Sequence, residues 1–305
     1  MNTFDMNSLG QTIKQLLLCH PDDIRANELS DNNFVMSPER YSSELREFVK
    51  LLLASKKGDH YKLLKMLDYP LVPSMEDRVH AWRLKDYFNH PTIHFTLPKG
   101  TWSFEFGQQF NQPLPEDFLP ASLECLTFGE CFNQAIQYGE LPPSITELKF
   151  GRQFNQPLTP GVLPDSLTSL TFDWNFNQPF INGALPYGLT SLVLGDLFNQ
   201  AIVACSLPPC LATLRFGSKF NQIVLPDTLP ESLTSLTFGL NFNQCLSQPG
   251  VLPLSLTHLS LDEYYDHPFS QPGALPESLR TLHLRTTYKH QSDLAVPPHC
   301  MIEYS

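Results

Sequence analysis

Apolar and polar residues alternate over short stretches that return at a fixed interval along most of the chain. In residues 166–172, Ser-Leu-Thr-Ser-Leu-Thr-Phe, the apolar residues are separated by serine and threonine, as is typical of a short, half-buried β-strand. A glycine follows most copies and indicates a turn. The link to the next copy is too short, and too rich in proline and glycine, for a helix of ordinary length. The pattern therefore predicts one strand per interval.

Two sequence markers give the interval its length. Phe-Asn-Gln occurs seven times at a constant spacing of 22 residues, starting at Phe110, Phe132, Phe154, Phe176, Phe198, Phe220 and Phe242. A Leu-Pro pair marks a second phase of the repeat from Leu97, and its last two copies, at Leu252 and Leu275, follow at 23 residues. Because each strand follows the same Leu-Pro lead-in at a fixed spacing, the strands are predicted to run in one direction. This predicts stacked coils with a parallel sheet along one side. The nine Leu-Pro starts predict about nine coils.

We interpret Phe-Asn-Gln as scaffold rather than as a binding motif. Phenylalanines at one point of every coil are expected to stack inside the solenoid. The neighbouring amide can donate to one carbonyl and accept from one N–H, which would satisfy the backbone of the turn along the array. The predicted structural ladder consists of Asn111, Asn133, Asn155, Asn177, Asn199, Asn221 and Asn243.

These repeats resemble the FNIP repeat family, which forms long arrays in social amoebae and in giant viruses that infect amoebae. The resemblance covers roughly residues 91–285 and rests on the in-phase Phe-Asn-Gln and Leu-Pro copies. It implies a relative of the leucine-rich repeats. The coil cross-section should differ from theirs, because the regular asparagine comes two residues later than in the usual leucine-rich pattern. FNIP proteins often carry an N-terminal F-box and would then act as substrate receptors of ubiquitin ligases. Residues 1–60 show no F-box pattern.

The first ninety residues lack Phe-Asn-Gln and are richer in charge. Apolar residues at helical spacing within Pro38–Lys57 predict one helix, and Ser74 is expected to cap another that runs through about Tyr87 with Trp82 on its apolar side. The fold prediction is therefore α+β, with the helical part also capping the first coil. The expected units are a helical N-terminal domain (1–90), the repeat solenoid (91–285) and a C-terminal cap (286–305).

Composition argues against several classes of partner. The net charge is −11 and no run of five or six Lys/Arg occurs, so a nucleic-acid ligand is not expected. No apolar run is long enough to span a membrane, and the first ten residues do not read as a secretory signal. Seven cysteines with irregular spacing indicate reduced thiols. We expect a cytoplasmic protein, located in the host cell cytoplasm or the virion if it is viral.

Catalytic motifs are also lacking in the sequence. It has no phosphate-binding glycine loop, no HExxH and no GxSxG. The adjacent Cys19 and His20 are a weak nucleophile candidate. Five late histidines and Cys300 are weak metal-ligand candidates because they lack i,i+3 or i,i+4 spacing: His258, His267, His283, His290 and His299. The expectation is no catalytic residue, no metal and no cofactor.

Residues between the buried strand positions are expected to form two outward columns along the sheet. Most members are serine or threonine, so the exceptions are the candidates for recognition. An exposed tryptophan beside an arginine is typical of an interface anchor, although packing of Trp174 onto its own turn remains an equal alternative. The predicted partner-binding residues are Trp174, Arg152, Lys149, Glu147 and Arg215.

These observations favour a non-enzymatic protein-protein interaction module. The alternatives are a substrate-recognition adaptor of a ubiquitin ligase acting through the N-terminal domain, and a structural component of a virus particle. A weaker alternative places an enzyme in residues 1–90, with the solenoid as its targeting module.

Overall fold

A computed structural model describes residues 71–73, 81–84, 86, 89, 97, 100–115, 117–271 and 273–305. These residues form one twelve-stranded sheet whose strands follow each other in chain order. The strands are β1 (Leu71–Pro73), β2 (Ala81–Leu84), β3 (Ser103–Glu105), β4 (Cys125–Thr127), β5 (Glu147–Lys149), β6 (Ser169–Thr171), β7 (Ser191–Val193), β8 (Thr213–Arg215), β9 (Ser235–Thr237), β10 (His258–Ser260), β11 (Thr281–Leu284) and β12 (Met301–Tyr304).

The sheet is a parallel β-solenoid from β2 onwards. Each strand pairs in parallel with the strand of the next coil, so that Leu148 lies opposite Leu170 and Leu170 opposite Leu192. Only β1 runs antiparallel, against β2, among the described strands. In each of the three-residue strands β3–β10 the central residue is buried and its neighbours are not, for example in β6. The predicted strands, their parallel direction and their alternation are therefore confirmed.

The helix predicted from Ser74 to about Tyr87 is wrong, because residues 81–84 form strand β2. Trp82 pairs with Phe104 in β3 and is buried at the central position that leucine occupies in later strands. Pairing with β3 and burial against it outweigh any local helical preference. The described residues thus support a β-solenoid and not an α+β fold. Their one helical element is the 3₁₀ turn Gln291–Asp293, and the helix predicted within Pro38–Lys57 lies outside them.

The sheet extends beyond both predicted ends of the array. Strand β2 precedes residue 91, and β12 follows residue 285 and pairs in parallel with β11. Eleven parallel strands are therefore described, where about nine coils were predicted.

Two columns of stacked aromatic rings fill the interior. The phenylalanines of Phe-Asn-Gln form one column, with ring centroids 6.1 Å apart for Phe132 and Phe154 and 6.2 Å apart for Phe154 and Phe176. The phenylalanine at the end of most strands forms the second, which Leu194 interrupts, with Phe128 and Phe150 5.2 Å apart and nearly parallel. Offset stacking of this kind adds about 0.5–1.5 kcal/mol per pair to the burial of the rings. The predicted aromatic column is confirmed, and the second column was not foreseen.

The glycine that follows most of the strands lies against the backbone of the preceding coil. A Cβ built on Gly151 would lie 2.1 Å from the carbonyl oxygen of Gly129 in the preceding coil. No positive φ is recorded for Gly151, so close backbone approach, and not an unusual turn conformation, explains this glycine.

A second turn does require the left-handed backbone. It precedes the Leu-Pro pair by about two residues and holds Gly139, Gly161 and Gly183 with φ of 79–85°. Other coils place a non-glycine residue there, including Cys205 with φ 63°. This conformation is costly for a residue with a Cβ, although aspartate tolerates it better than most.

Candidate functional site

The two predicted outward columns are present along the sheet. Glu147 lies beside Ser169 at the start of neighbouring strands, and Lys149 lies beside Thr171 at their ends. Val193 and Arg215 continue the second column on β7 and β8. The column containing Lys149 and Arg215 therefore runs without interruption across four coils.

Glu147 and Lys149 form an ion pair within strand β5. Lys149 Nζ lies 2.7 Å from Glu147 Oε1, and both side chains are more than a third exposed. An exposed pair of this kind contributes at most about 1 kcal/mol to stability. Its main effect is to hold the Glu147 carboxylate against a cation of the same coil.

Arg152 and Trp174 stack on each other in adjacent coils. The Arg152 guanidinium carbon lies 5.1 Å from the centre of the indole ring, and Trp174 retains 42% of its exposure. A cation over an indole face at this distance is favourable, by about 0.5–1 kcal/mol at an exposed site. Trp174 is therefore held by a neighbour and still presents a large apolar surface to solvent.

The turn that carries Trp174 departs from the repeat. Asp173 occupies the position that glycine holds in the coils on either side, at Gly151 and Gly195. Its Oδ1 accepts a hydrogen bond of 2.7 Å from the Trp174 N–H. Asp262 makes the same substitution further along, and its Oδ1 likewise accepts from the N–H of Glu263.

A shallow groove of about 600 Å³ follows the carboxyl ends of the strands. Lys149 and Arg215 line it, together with Asp173, Val193 and Asp196. Trp174 and Arg152 are not among its lining residues, and Glu147 lies at the opposite end of β5 from the groove. The structure thus gathers the five predicted residues onto one stretch of coils but does not bring them into one pocket.

Two functional candidates escaped the sequence reasoning. Lys219 is exposed in the turn after β8, and Asp196 accepts hydrogen bonds from the N–H and the hydroxyl of Ser218. The uneven distribution of lysine and arginine over the coils is the sequence signal that points to Lys219.

The seven predicted ladder asparagines form a continuous chain of hydrogen bonds. Oδ1 of each accepts the N–H of the corresponding residue in the next coil, at 2.9 Å for Asn155 and Asn177. The glutamine of that next coil adds a second bond, from Gln178 Nε2 to Asn155 Oδ1 at 3.1 Å. The amide oxygen therefore accepts both bonds, instead of the expected one donated and one accepted. The ladder also begins one coil earlier than predicted, at Asn89.

The ladder ends in charged variants of the same three residues. Tyr265-Asp266-His267 replaces Phe-Asn-Gln, and the N–H of Asp266 donates to Asn243 Oδ1. Lys289, in the next copy, forms an ion pair with Asp266. Hydrogen bonding to Lys289 holds the pKa of the partly buried Asp266 carboxyl below its ordinary value. His267 and His290 therefore belong to the ladder's end.

The weak candidates from the sequence remain separate. His258 and His283 lie in different columns, where their rings contact Thr257 and Ser260 respectively. Over the described residues, no three His, Cys, Asp or Glu side chains are grouped to hold a metal ion. Cys19 and His20 lie outside the described residues. The described part of the chain contains no helix with the length and apolarity of a membrane span.

Comparison with known structures places this architecture among the solenoids of leucine-rich-repeat type. The chain is similar to the crystal structure of CroV588, a circular LRR protein, with 36% sequence identity and a TM-score of 0.63. The alignment covers 73% of this chain but only 39% of the other, so the chain spans well under half of that protein's length.

The repeats themselves identify the family. Five segments match the FNIP repeat, at residues 88–131, 132–173, 176–219, 220–263 and 248–287. Together they cover more than half of the chain, which therefore belongs to the FNIP repeat family. Comparison with curated protein sequences gave no match.

Proposed function

We propose that this chain is a non-enzymatic scaffold that binds a protein partner through the outer surface of coils β5–β8. Solenoids of leucine-rich-repeat type generally act as interaction scaffolds, because they present a long, rigid surface. The observation that carries the proposal is the Arg152–Trp174 stack, a large and partly exposed aromatic anchor beside outward columns in which serine and threonine are the commonest residues. Tryptophan and arginine are the residue types most enriched at the energetic centres of interfaces.

The five residues would have distinct roles in such an interface. Trp174 supplies apolar area and Arg152 restricts its ring. Lys149 and Arg215 place positive charge along the wall of the neighbouring groove, and Glu147 orients Lys149. The partner would contact a surface that is assembled before binding, which limits the entropy lost on association.

The test is a quantitative pull-down with the full chain from lysate of the native host cell. The variant Trp174→Ala/Arg152→Ala should lose specific partners that the unchanged chain retains. Tyr187→Ala is the matched control, because Tyr187 is a 72% exposed aromatic in the turn that precedes β7, whereas Trp174 lies in the turn that follows β6. Equal recovery of every partner by the double variant and the unchanged chain would refute the placement of the site.

A second candidate is an adaptor, in which residues 1–90 dock a larger machine such as a ubiquitin ligase while the solenoid holds the substrate. It shares the solenoid site with the first proposal and differs only in the N-terminal part. Co-purification of ligase subunits with the full chain, lost on deletion of residues 1–70, would favour it. Cytoplasmic location and incorporation into a virus particle are further proposals, tested by fractionation and by mass spectrometry of purified particles.

A further inference from the structure

Positive charge on the solenoid is concentrated in one place. Residues 101–305 contain seven Lys/Arg and eighteen Asp/Glu. Strands β5–β8 and the turns directly after them contain four of the seven cations. We refer to residues 147–153, 169–175, 191–197 and 213–219 as the cationic band. Its cations are Lys149, Arg152, Arg215 and Lys219.

The carboxylates of the cationic band are already engaged. Glu147 pairs with Lys149, Asp173 accepts the Trp174 N–H, and Asp196 accepts from Ser218. With four cations and three carboxylates the band has a formal charge of +1. The remainder of residues 101–305, with three cations and fifteen acidic residues, has a formal charge of −12. The band is therefore a local positive region on a strongly negative surface.

Three cations of the band are available to a partner. Arg152, Arg215 and Lys219 are exposed, and no described carboxylate lies within ion-pair distance of them. Near the end of the array, by contrast, Arg285 lies 2.7 Å from an Asp262 oxygen and Lys289 pairs with Asp266. Two of the three cations beyond the cationic band are thus paired with carboxylates of the array, and Arg280 is the third.

The cationic band also offers apolar contacts. Trp174 stacks under Arg152, and Val193 lies between Thr171 and Arg215 in the groove-lining column. A surface that combines separated cations with an aromatic anchor suits a ligand that carries both carboxylates and an apolar side chain.

We infer that the cationic band binds an extended acidic segment of a partner protein, with its carboxylates at Arg152, Arg215 and Lys219 and an apolar side chain at Trp174. The inference rests on the proposed function and specifies the chemistry of the partner. From β5 to β8 is about 14 Å at the usual strand spacing, a distance that four or five residues of an extended chain cover.

The surroundings of the cationic band favour a short acidic segment over a longer polyanion. Glu124 and Glu130 lie on the coil before it, and Glu263 lies beyond it. A nucleic-acid strand that continued along the array would meet these carboxylates and be repelled. A segment of a few acidic residues ends before it reaches them.

The test measures the fluorescence anisotropy of a labelled peptide, Gly-Ser-Glu-Asp-Phe-Glu-Asp-Ser-Gly, as the full chain is added to it. Its amide counterpart, with Gln and Asn in place of the acids, is the matched probe. We expect the acidic peptide to bind, the amide peptide not to bind, and the affinity to fall as salt rises. Arg152→Glu/Arg215→Glu should weaken binding by about ten-fold or more, because each reversed charge repels the ligand.

Arg280→Glu is the control variant, since it reverses an exposed cation of the array outside the cationic band. It should retain binding, and Arg152→Gln/Arg215→Gln provides a milder variant if the charge reversal impairs folding by circular dichroism. Equal binding of both peptides, binding of neither, or equal weakening by Arg280→Glu would overturn the inference. Tighter binding of a single-stranded 12-nucleotide probe than of the acidic peptide would overturn it in favour of nucleic acid. If the acidic peptide does not bind while Trp174→Ala/Arg152→Ala still abolishes partner capture, the proposed function stands and the acidic segment does not.

Discussion

The side-chain oxygen of Asn155 accepts a 2.9 Å hydrogen bond from the backbone N–H of Asn177, the equivalent residue one coil later. The same oxygen accepts a bond from Gln178 Nε2. Phe176, which precedes this pair, stacks on Phe154 inside the coil. The repeated Phe-Asn-Gln thus joins each coil to the previous one through an aromatic contact, a backbone bond and a side-chain bond.

Removal of one ladder oxygen should destabilise the array measurably. In Asn155→Ala the Asn177 N–H and the Gln178 amide lose their acceptor, and an unsatisfied group costs about 1–3 kcal/mol of unfolding free energy. Asn155→Asp is the matched control, since it retains an oxygen at that position and should cost less. Urea denaturation of the three proteins measures the difference. Equal losses for Ala and Asp would contradict the assignment of the oxygen as the stabilising group.

The glycine column should not tolerate a methyl group. In Gly151→Ala the new Cβ would lie 2.1 Å from the Gly129 carbonyl oxygen, so backbone atoms of one of the two coils must shift. We expect a loss of about 1–3 kcal/mol or more, as for overpacked interiors. In Gly188→Ala the nearest atom is the Asp165 carbonyl oxygen at 3.6 Å, and we expect little change or slight stabilisation. Similar melting temperatures for the two variants would show that the coils are less closely stacked than described.

Replacement of Cys205 by glycine should stabilise the protein. Cys205 has φ 63° at a turn where Gly139, Gly161 and Gly183 occupy the same conformation. A residue with a Cβ loses about 1–2 kcal/mol there, which glycine recovers in part because its unfolded chain is more flexible. Cys205→Ala removes the thiol but retains the Cβ, so it should not stabilise. The melting temperature should rise for Cys205→Gly and not for Cys205→Ala.

The sequence predicted the features that depend on the period and missed those that depend on distance between coils. The buried position of Leu170, the outward position of Lys149 and the stacking of Phe154 all follow from alternation and a 22-residue repeat. The close approach at Gly151 does not, because glycine there is equally consistent with an ordinary turn.

Substitutions within the repeat concealed other features. The left-handed turn was not recognised because Asp117, Cys205 and Asp227 interrupt its glycines. Strand β2 was predicted as helix because Trp82 replaces the leucine of the pattern and no Phe-Asn-Gln follows it. For the candidate site, the sequence identified unusual residues such as Trp174 but could not show that Arg152 stacks on it or that Lys219 belongs to the same charged surface.

Trp174 and Phe176 should differ sharply in their effect on stability. Phe176 is 1% exposed within the aromatic column, so Phe176→Ala should cost about 3–5 kcal/mol. Trp174→Ala removes an exposed ring and one stacked cation, and should cost about 1 kcal/mol or less. A large loss of stability in Trp174→Ala, measured by urea denaturation, would instead support packing of the indole onto its own turn as its main role.

Stability should fall at high pH through the tyrosines that end the aromatic column. Burial, reinforced by the nearby Asp266 carboxylate, raises the pKa of Tyr288 to about 12 from its ordinary 10, and burial also raises the pKa of Tyr265. A raised pKa means that the folded state favours the neutral phenol. Its contribution is therefore complete below pH 10 and is lost as the pH rises from about 10 to about 12.

Tyr288→Phe removes one of these titrations, so its melting temperature should fall less between pH 10 and pH 12 than that of the unchanged chain. Tyr265 continues to titrate and leaves part of the decline in place. The hydroxyl of Tyr288 donates to the His267 carbonyl oxygen at 2.9 Å, so the variant should also be somewhat less stable at neutral pH. Parallel profiles for Tyr288→Phe and the unchanged chain would show that Tyr288 ionises as freely in the folded as in the unfolded protein.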